Sequence, residues 1–172
     1  KSFALLILAA SISLSSANAA EIGILDVESI IKNSTVMKDI QSKVSAKQTE
    51  FQKEIDKKQS ALEADGKKLE SKKGVLSDEV FKKEQLAFEK RVNELKEYLD
   101  KKQNSLRKAS LESMSKVNDK MKDIISDVSK EKGFDLIIPA SQALFYKDDM
   151  DISAEILKRL NKAITKVDVK FE

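Results

Sequence analysis

The chain contains neither cysteine nor histidine. That removes thiolate nucleophiles, thiolate metal sites and disulfides, together with the side chain that most often serves as general base or metal ligand. Carboxylates, lysines, serines and two tyrosines remain, and their spacing belongs to helix surfaces. Asp39 precedes Lys43 by four residues, and Glu54 with Lys58, Glu63 with Lys67, Glu79 with Lys83, Glu97 with Lys101 and Glu112 with Lys116 repeat that order. Acid four residues before base is the favourable helical arrangement, worth about 0.2–0.5 kcal/mol per pair. These charges therefore support helicity and solubility and form no reaction centre. Gly66-Lys67-Lys68 lacks the upstream glycine of a phosphate-binding loop and lies within a helical pattern. The sequence offers no catalytic residue, no cofactor-binding motif and no metal site. The chemistry it does support is non-covalent binding.

The basic residues set a further bound. Residues 36 to 132 hold 24 lysines and arginines against 19 acids, a mild excess spread along the stretch. Arginine occurs only at Arg91, Arg107 and Arg159, and aromatic residues are not interleaved with basic clusters. This is the pattern of a solvated helical face, and it does not mark nucleic-acid recognition.

The same stretch must position whatever binds. It has no proline and only two glycines, Gly66 and Gly74, and large apolar residues recur once or twice per seven. Long, solvent-exposed helices in contact along a narrow seam have this pattern. The seam mirrors itself. Leu69 and Phe81, Leu62 and Phe88, Ile55 and Leu95, Phe51 and Leu99, and Val44 and Leu106 lie symmetrically about residue 75. Ile40 with Leu111 and Met37 with Met114 continue the series half a residue later. Antiparallel helices need such symmetry, because each level of the seam takes one knob from each strand. The spacing thus predicts a hairpin over 36–132 that turns near 74–77. Gly74 would end the first helix and Ser77 would cap the second, with Asp78 and Glu79 favoured in its first turn by the helix dipole. Around Gly66 the seam thins to one apolar residue per heptad, so the distal half is expected to bend. The second helix outruns the first, and its excess, with Val117, Met121, Ile124, Ile125 and Val128, needs another packing partner.

Both chain ends supply that partner. Residues 1–19 read as a signal peptide: an apolar run from Phe3 to Ala10, a serine-rich stretch, and an Ala17-Asn18-Ala19 cleavage site. The apolar part, about twelve residues, is shorter than the ~20 needed to span a bilayer. Ile22-Gly-Ile-Leu-Asp-Val27 predicts a strand, with Ser34 or Thr35 capping the long helix that follows. Gly133 would close the second arm. Phe134-Asp-Leu-Ile-Ile138 predicts a second strand and Ala143-Leu-Phe-Tyr146 a third, and Asp151 would cap a last amphipathic helix. Residues 20–35 and 133–172 thereby form a small body into which the hairpin is inserted, an α+β fold that is mostly α. About 55 residues without disulfides or metals bury little core unaided, so oligomerisation is expected.

The exported strand-and-helix start, the Lys/Gln/Glu-rich hairpin, and the ending Phe134-Asp-Leu-Ile-Ile138, Ala143-Leu-Phe-Tyr146 and Asp151-Ile-Ser-Ala-Glu-Ile-Leu-Lys158 together resemble the Skp/OmpH family of periplasmic chaperones. Ser153 stands where that pattern has threonine. The resemblance implies a homotrimer in a Gram-negative periplasm, whose strands (Ile22, Ile24, Leu136 and Ile138) form the central body and whose hairpins hang as tentacles around a cavity. It implies an ATP-independent holdase for unfolded outer-membrane β-barrel proteins, and contact of basic arm residues with lipopolysaccharide or anionic lipid, assigned to no single position. Exposed Tyr98, Leu86 and Val92 would be available to a client. The competing reading is an exported coiled-coil spacer or adaptor of the cell envelope.

Overall fold

A computed structural model describes residues 20–172; the expected signal peptide lies outside the described residues. Strand β1 (Ile22–Leu25) leads into a short helix α1 (Val27–Asn33), capped by Asp26, whose Oδ1 accepts from the Ser29 N–H at 2.8 Å. Ser34 closes α1 and opens α2 (Thr35–Ser71). It is extended at ψ 140°, its backbone N–H donates to Ile30 O, and its Oγ accepts from the Met37 N–H at 3.4 Å. Placing this polar cap in the core is tolerable because its hydrogen bonds are made locally.

Helix α2 has 37 residues and α3 (Asp78–Lys132) has 55, or about 55 and 82 Å at ~1.5 Å per residue. They fold back on each other as an antiparallel hairpin. Gly74, at φ +79°, provides the left-handed residue of the turn, a conformation that a side chain would strain. Ser77 does occupy the cap position of α3, but its side chain makes no capping hydrogen bond. Asp78 and Glu79 in the first turn remain to oppose the helix dipole. At the other end α3 stops at Gly133, φ 74°.

Strand β2 (Leu136–Pro139) pairs with β1 in parallel, Ile22 opposite Leu136 and Leu25 opposite Pro139, so the whole hairpin is the crossover between neighbouring strands. Two 3-10 turns (Ala140–Gln142 and Asp148–Met150) lead to α4 (Ser153–Ala163). Asp151 bridges to Ile24 on the other side of β1. Its Oδ1 accepts from the Ser153 N–H at 2.8 Å, one residue earlier than the formal cap, Ile152. The overrun of α3 has its packing partner here: Val117, Met121, Ile124 and Val128 are buried against Ile152, Ile156 and Leu160 of the α4 segment and against Ile30, Val36 and Ile40. Residues 164–172 then turn back along the hairpin base, with Val167 buried.

One expected element is not formed. Ala143–Tyr146 is no strand; the segment is irregular, with Leu144 and Phe145 almost wholly exposed. A strand needs a free edge to pair with. The outer side of β1 is engaged by Asp151, and the chain does not return to the free edge of β2. Among the described residues, no helix is long and apolar enough to cross a membrane.

Candidate functional site

The hairpin changes character along its length. Of the ten expected seam residues only Phe51 is fully buried; Val44, Ile55, Leu62, Leu69, Phe81, Phe88, Leu95, Leu99 and Leu106 are half-buried. Leu62 and Leu95 line one shallow cleft, and Leu69 and Phe88 line the next one outward. Gly66, which weakens the helix by propensity, has a packing role: a Cβ there would sit 3.3 Å from the Phe88 ring. A seam this narrow leaves much of the arm's apolar surface in water.

Near the body the seam is built differently. Ile40 was expected to face Leu111, but Leu111 is 62% exposed. The buried residues of α3 there are Ser105, Ala109, Ser113, Val117 and Met121, successive steps of four. Steps of four drift around a helix relative to the alternating three and four of a heptad. The buried face therefore turns away from Leu111 and places small residues against α2. Ser113 Oγ donates to its own helix, to Ala109 O at 2.7 Å. Ser105 Oγ is buried without a partner.

Charges flank the seam. Lys72 pairs with Glu84 at 2.7 Å, Arg91 with Asp65, and Lys102 with Glu54 at 3.8 Å. Lys58 lies 4.6 Å from the Tyr98 ring centre, and Lys102 lies 4.2 Å from that of Phe51. Lys72–Glu84, Arg91–Asp65, Lys102–Glu54 and Lys58–Tyr98 are symmetric about residue 78, three positions past the mirror point of the apolar knobs, as expected for residues beside the seam. Of the six acid-before-base pairs along single helices, only Asp39–Lys43 closes, at 2.7 Å. Exposed pairs are weak enough for the others to stay solvated. Tyr98 is not a free apolar surface, because its hydroxyl donates to Glu54. That hydrogen bond, with burial, pushes its pKa up to about 12. Leu86 remains 58% exposed, as do Val75 and Val80 nearer the turn, at 79% and 45%. Val92 is half-buried.

At the other end, the sheet offers two faces. Gly23 and Ile137 lie against Ile152 or the surrounding core, and Leu25 joins the core itself. By strand alternation Ile22, Ile24, Leu136 and Ile138 share the opposite face. Ile24 is buried within the protomer, Ile22 and Ile138 are half-buried, and Leu136 is 52% exposed. The four expected assembly residues thus share a face but not an exposure: Ile24 is used by the protomer itself.

The family model of outer membrane proteins (OmpH-like) matches residues 21–160, spanning β1, the complete hairpin, β2 and most of α4. The chain belongs to the OmpH-like family. An uncharacterized protein of Aquifex aeolicus (strain VF5) is 32% identical to this OmpH-like chain over 164 residues, 94% of this chain and 96% of that protein. The crystal structure of an OmpH-like protein of Caulobacter crescentus CB15, provisionally described as an outer membrane chaperone, superposes with a TM-score of 0.81. It covers 90% of this chain and 91% of its own at 15% identity. So low an identity with so full an overlap shows that the hairpin-in-body architecture is shared. Among the described residues of the OmpH-like chain, no group of acidic residues is arranged to hold a metal ion.

Proposed function

We propose that this OmpH-like chain is a periplasmic, ATP-independent holdase that keeps unfolded outer-membrane β-barrel proteins from aggregating before they insert. The observation that carries this reading is the half-buried arm. Its narrow seam leaves Val75, Val80 and Leu86 in water on a lysine-rich surface. Such a surface makes many weak, sequence-tolerant contacts, and several arms acting together supply avidity. Binding the unfolded chain and not its folded form needs no nucleotide, because release follows when folding into the membrane depletes the unfolded species.

The holdase works as a homotrimer whose arms enclose the client. Leu136 on β2, and Leu144 and Phe145 in the segment that follows, are exposed, β2 has a free edge, and a two-stranded sheet is marginal alone. A second copy that supplies a strand to that edge would extend the sheet beside Leu136. Residues 1–19 act as the export signal. Contact with lipopolysaccharide or anionic lipid has less support, because Lys72, Arg91 and Lys102 are already paired with carboxylates.

The test mixes the chain from residue 20 onward with a urea-unfolded outer-membrane barrel protein, dilutes, and follows light scattering. Suppression is expected near stoichiometric trimer, without ATP. It should be lost when residues 48–102 are replaced by a short Gly/Ser loop that leaves the body intact. No suppression even in large molar excess would overturn the holdase reading and favour an envelope spacer.

A further inference from the structure

Beyond residue 160, where the family match ends, the chain runs on past α4 into an extended segment. Residues 167–172 alternate strictly, with Val167, Val169 and Phe171 separated by Asp168, Lys170 and Glu172. Burial follows the same alternation: Val167 is buried, Val169 packs on the core, Phe171 is half-buried, and the three charged residues are exposed. This is the two-residue period of an extended strand with one face against a surface. The spacing of its contacts agrees. Lys116 Nζ donates to Asp168 O at 3.4 Å, and Lys108 pairs with the Glu172 side chain. Eight residues of α3, about 12 Å, are thus spanned by four residues of strap, about 13 Å when extended. The strap climbs from the body along the arm, towards its tip.

Much of the hold on this segment is on its backbone. Lys43 Nζ donates to Val167 O at 2.9 Å and is held in place by Asp39 at 2.7 Å. A lysine steadied by an aspartate one helical turn away thus takes the carbonyl of one strap residue. Main-chain capture with shallow sites for alternate side chains is how proteins bind extended segments without reading a fixed sequence. Strands of a transmembrane barrel carry that period-two apolar pattern, and it is what their unfolded chains share.

We propose that the surface under residues 165–172 is a docking groove for an extended, alternating apolar segment of the client, and that the chain's own strap occupies it as an internal competitor. The assignment rests on the holdase reading and adds to it the place and conformation in which the client is first held. Lys43, held by Asp39, binds the client's backbone carbonyl, the ledge under Val167 and Val169 takes its apolar side chains, and Lys108 and Lys116 meet its carbonyls and acids. A tethered strap competes at an effective concentration in the millimolar range. It is therefore displaced only by a client that brings further contacts along the arm, which biases the groove against short, folded or weakly apolar chains.

The experiment uses a fluorescent peptide with the sequence of residues 164–172, and a second of the same composition whose order breaks the alternation. Each is titrated by anisotropy into the full chain from residue 20, a chain ending at Ile164, and a full-length Val169→Asp/Phe171→Asp variant. The last keeps Val167 in the core, so it covers the case in which the shortened chain fails to fold. The alternating peptide is expected to bind the shortened or double-variant chain at least ~10-fold more tightly than the full chain. The reordered peptide should not bind, and urea-unfolded barrel protein should displace the bound one. Equal binding to all forms, no binding to any, or no displacement by the barrel protein overturns the groove. Light scattering separates the two readings. Suppression of aggregation without peptide displacement leaves the holdase and removes the groove, whereas displacement without suppression keeps the groove and removes the holdase.

Discussion

Tyr98 of α3 reaches across the hairpin and donates its phenolic hydrogen bond to the Glu54 carboxylate of α2. The bond joins the arms between the well-buried Phe51 level and the thin distal half. It favours protonated Tyr98, whose pKa is pushed from 10.0 to about 12, first by the Glu54 hydrogen bond and then by burial. A tyrosine raised on folding contributes stability that is present in full below pH 10 and lost as pH rises towards 12. In a Tyr146→Phe background the remaining tyrosinate absorbance should titrate near pH 12. A midpoint at 10.0 would show that the arms are not joined at Tyr98.

Acid should loosen the other end. Arg159 of α4 donates to both Glu131 oxygens, at 2.9 and 2.6 Å, and to Glu155 at 2.6 Å, while Lys132 also pairs with Glu155. The Arg159 hydrogen bond holds Glu131 below the ordinary 4.5, and Lys132 followed by Arg159 does the same for Glu155. A lowered carboxylate stabilises above pH 4.5, and that contribution disappears as pH falls through its folded-state value. The Arg159→Ala variant should melt below the parent at pH 7, and the gap should close as pH falls below 4.5 through the lowered values of Glu131 and Glu155. A melting gap that stays constant over that range would mean that packing, and not charge, carries the contribution of Arg159.

How far the fold is legible in the sequence depends on which signal each part uses. The distal seam is visible because Leu62, Leu69, Phe81 and Phe88 are large and regularly spaced. The base of the hairpin is hidden, because Ser105, Ala109 and Ser113 are buried as small residues and no hydrophobic pattern marks them, while Leu111 carries the apolar signal and points to water. Ala143–Tyr146 has the composition of a strand, but composition does not say whether one chain contains its partner. The strap is hidden for a related reason: three apolar residues are too few to mark an element, and only the lysines of distant helices reveal what it lies on.

The hidden base makes its own prediction. Ser105 Oγ is buried without a hydrogen-bond partner, a desolvation penalty that alanine would not incur. The Ser105→Ala variant should be stabilised by up to about 1 kcal/mol in urea unfolding. Ser105→Leu should instead destabilise by roughly 1–3 kcal/mol, since overpacking would force the helices apart. A loss of stability in the alanine variant would imply that the hydroxyl is bonded after all.

Leu136 separates assembly from protomer folding. It is 52% exposed within the chain, so Leu136→Asp should barely change helical content or the packing around Ile156. Buried between copies, however, the same aspartate would be an unpaired charge, which typically costs several kcal/mol. Sedimentation equilibrium should show a trimer for the parent and a monomer for the variant. A variant that remains trimeric would place the assembly contact elsewhere.

The parallel pairing of β1 with β2 also dictates an order of events. Ile22 and Leu136 stand opposite each other in register, yet joining two points that far apart in a flexible chain costs about 4 kcal/mol of loop entropy. Helices α2 and α3 form from contacts local to each of them, and zipping them together carries residue 35 to within a few turns of residue 117 before any strand exists. The arm is therefore the device that delivers the two strand sequences to each other. Contacts so distant in sequence are also the slow ones. During synthesis β1 emerges early and must wait, unpaired and apolar, until the entire arm has been made and closed. Until then the nascent chain is itself an unfolded polypeptide with an exposed strand edge, the kind of chain that the proposed holdase would take as a client.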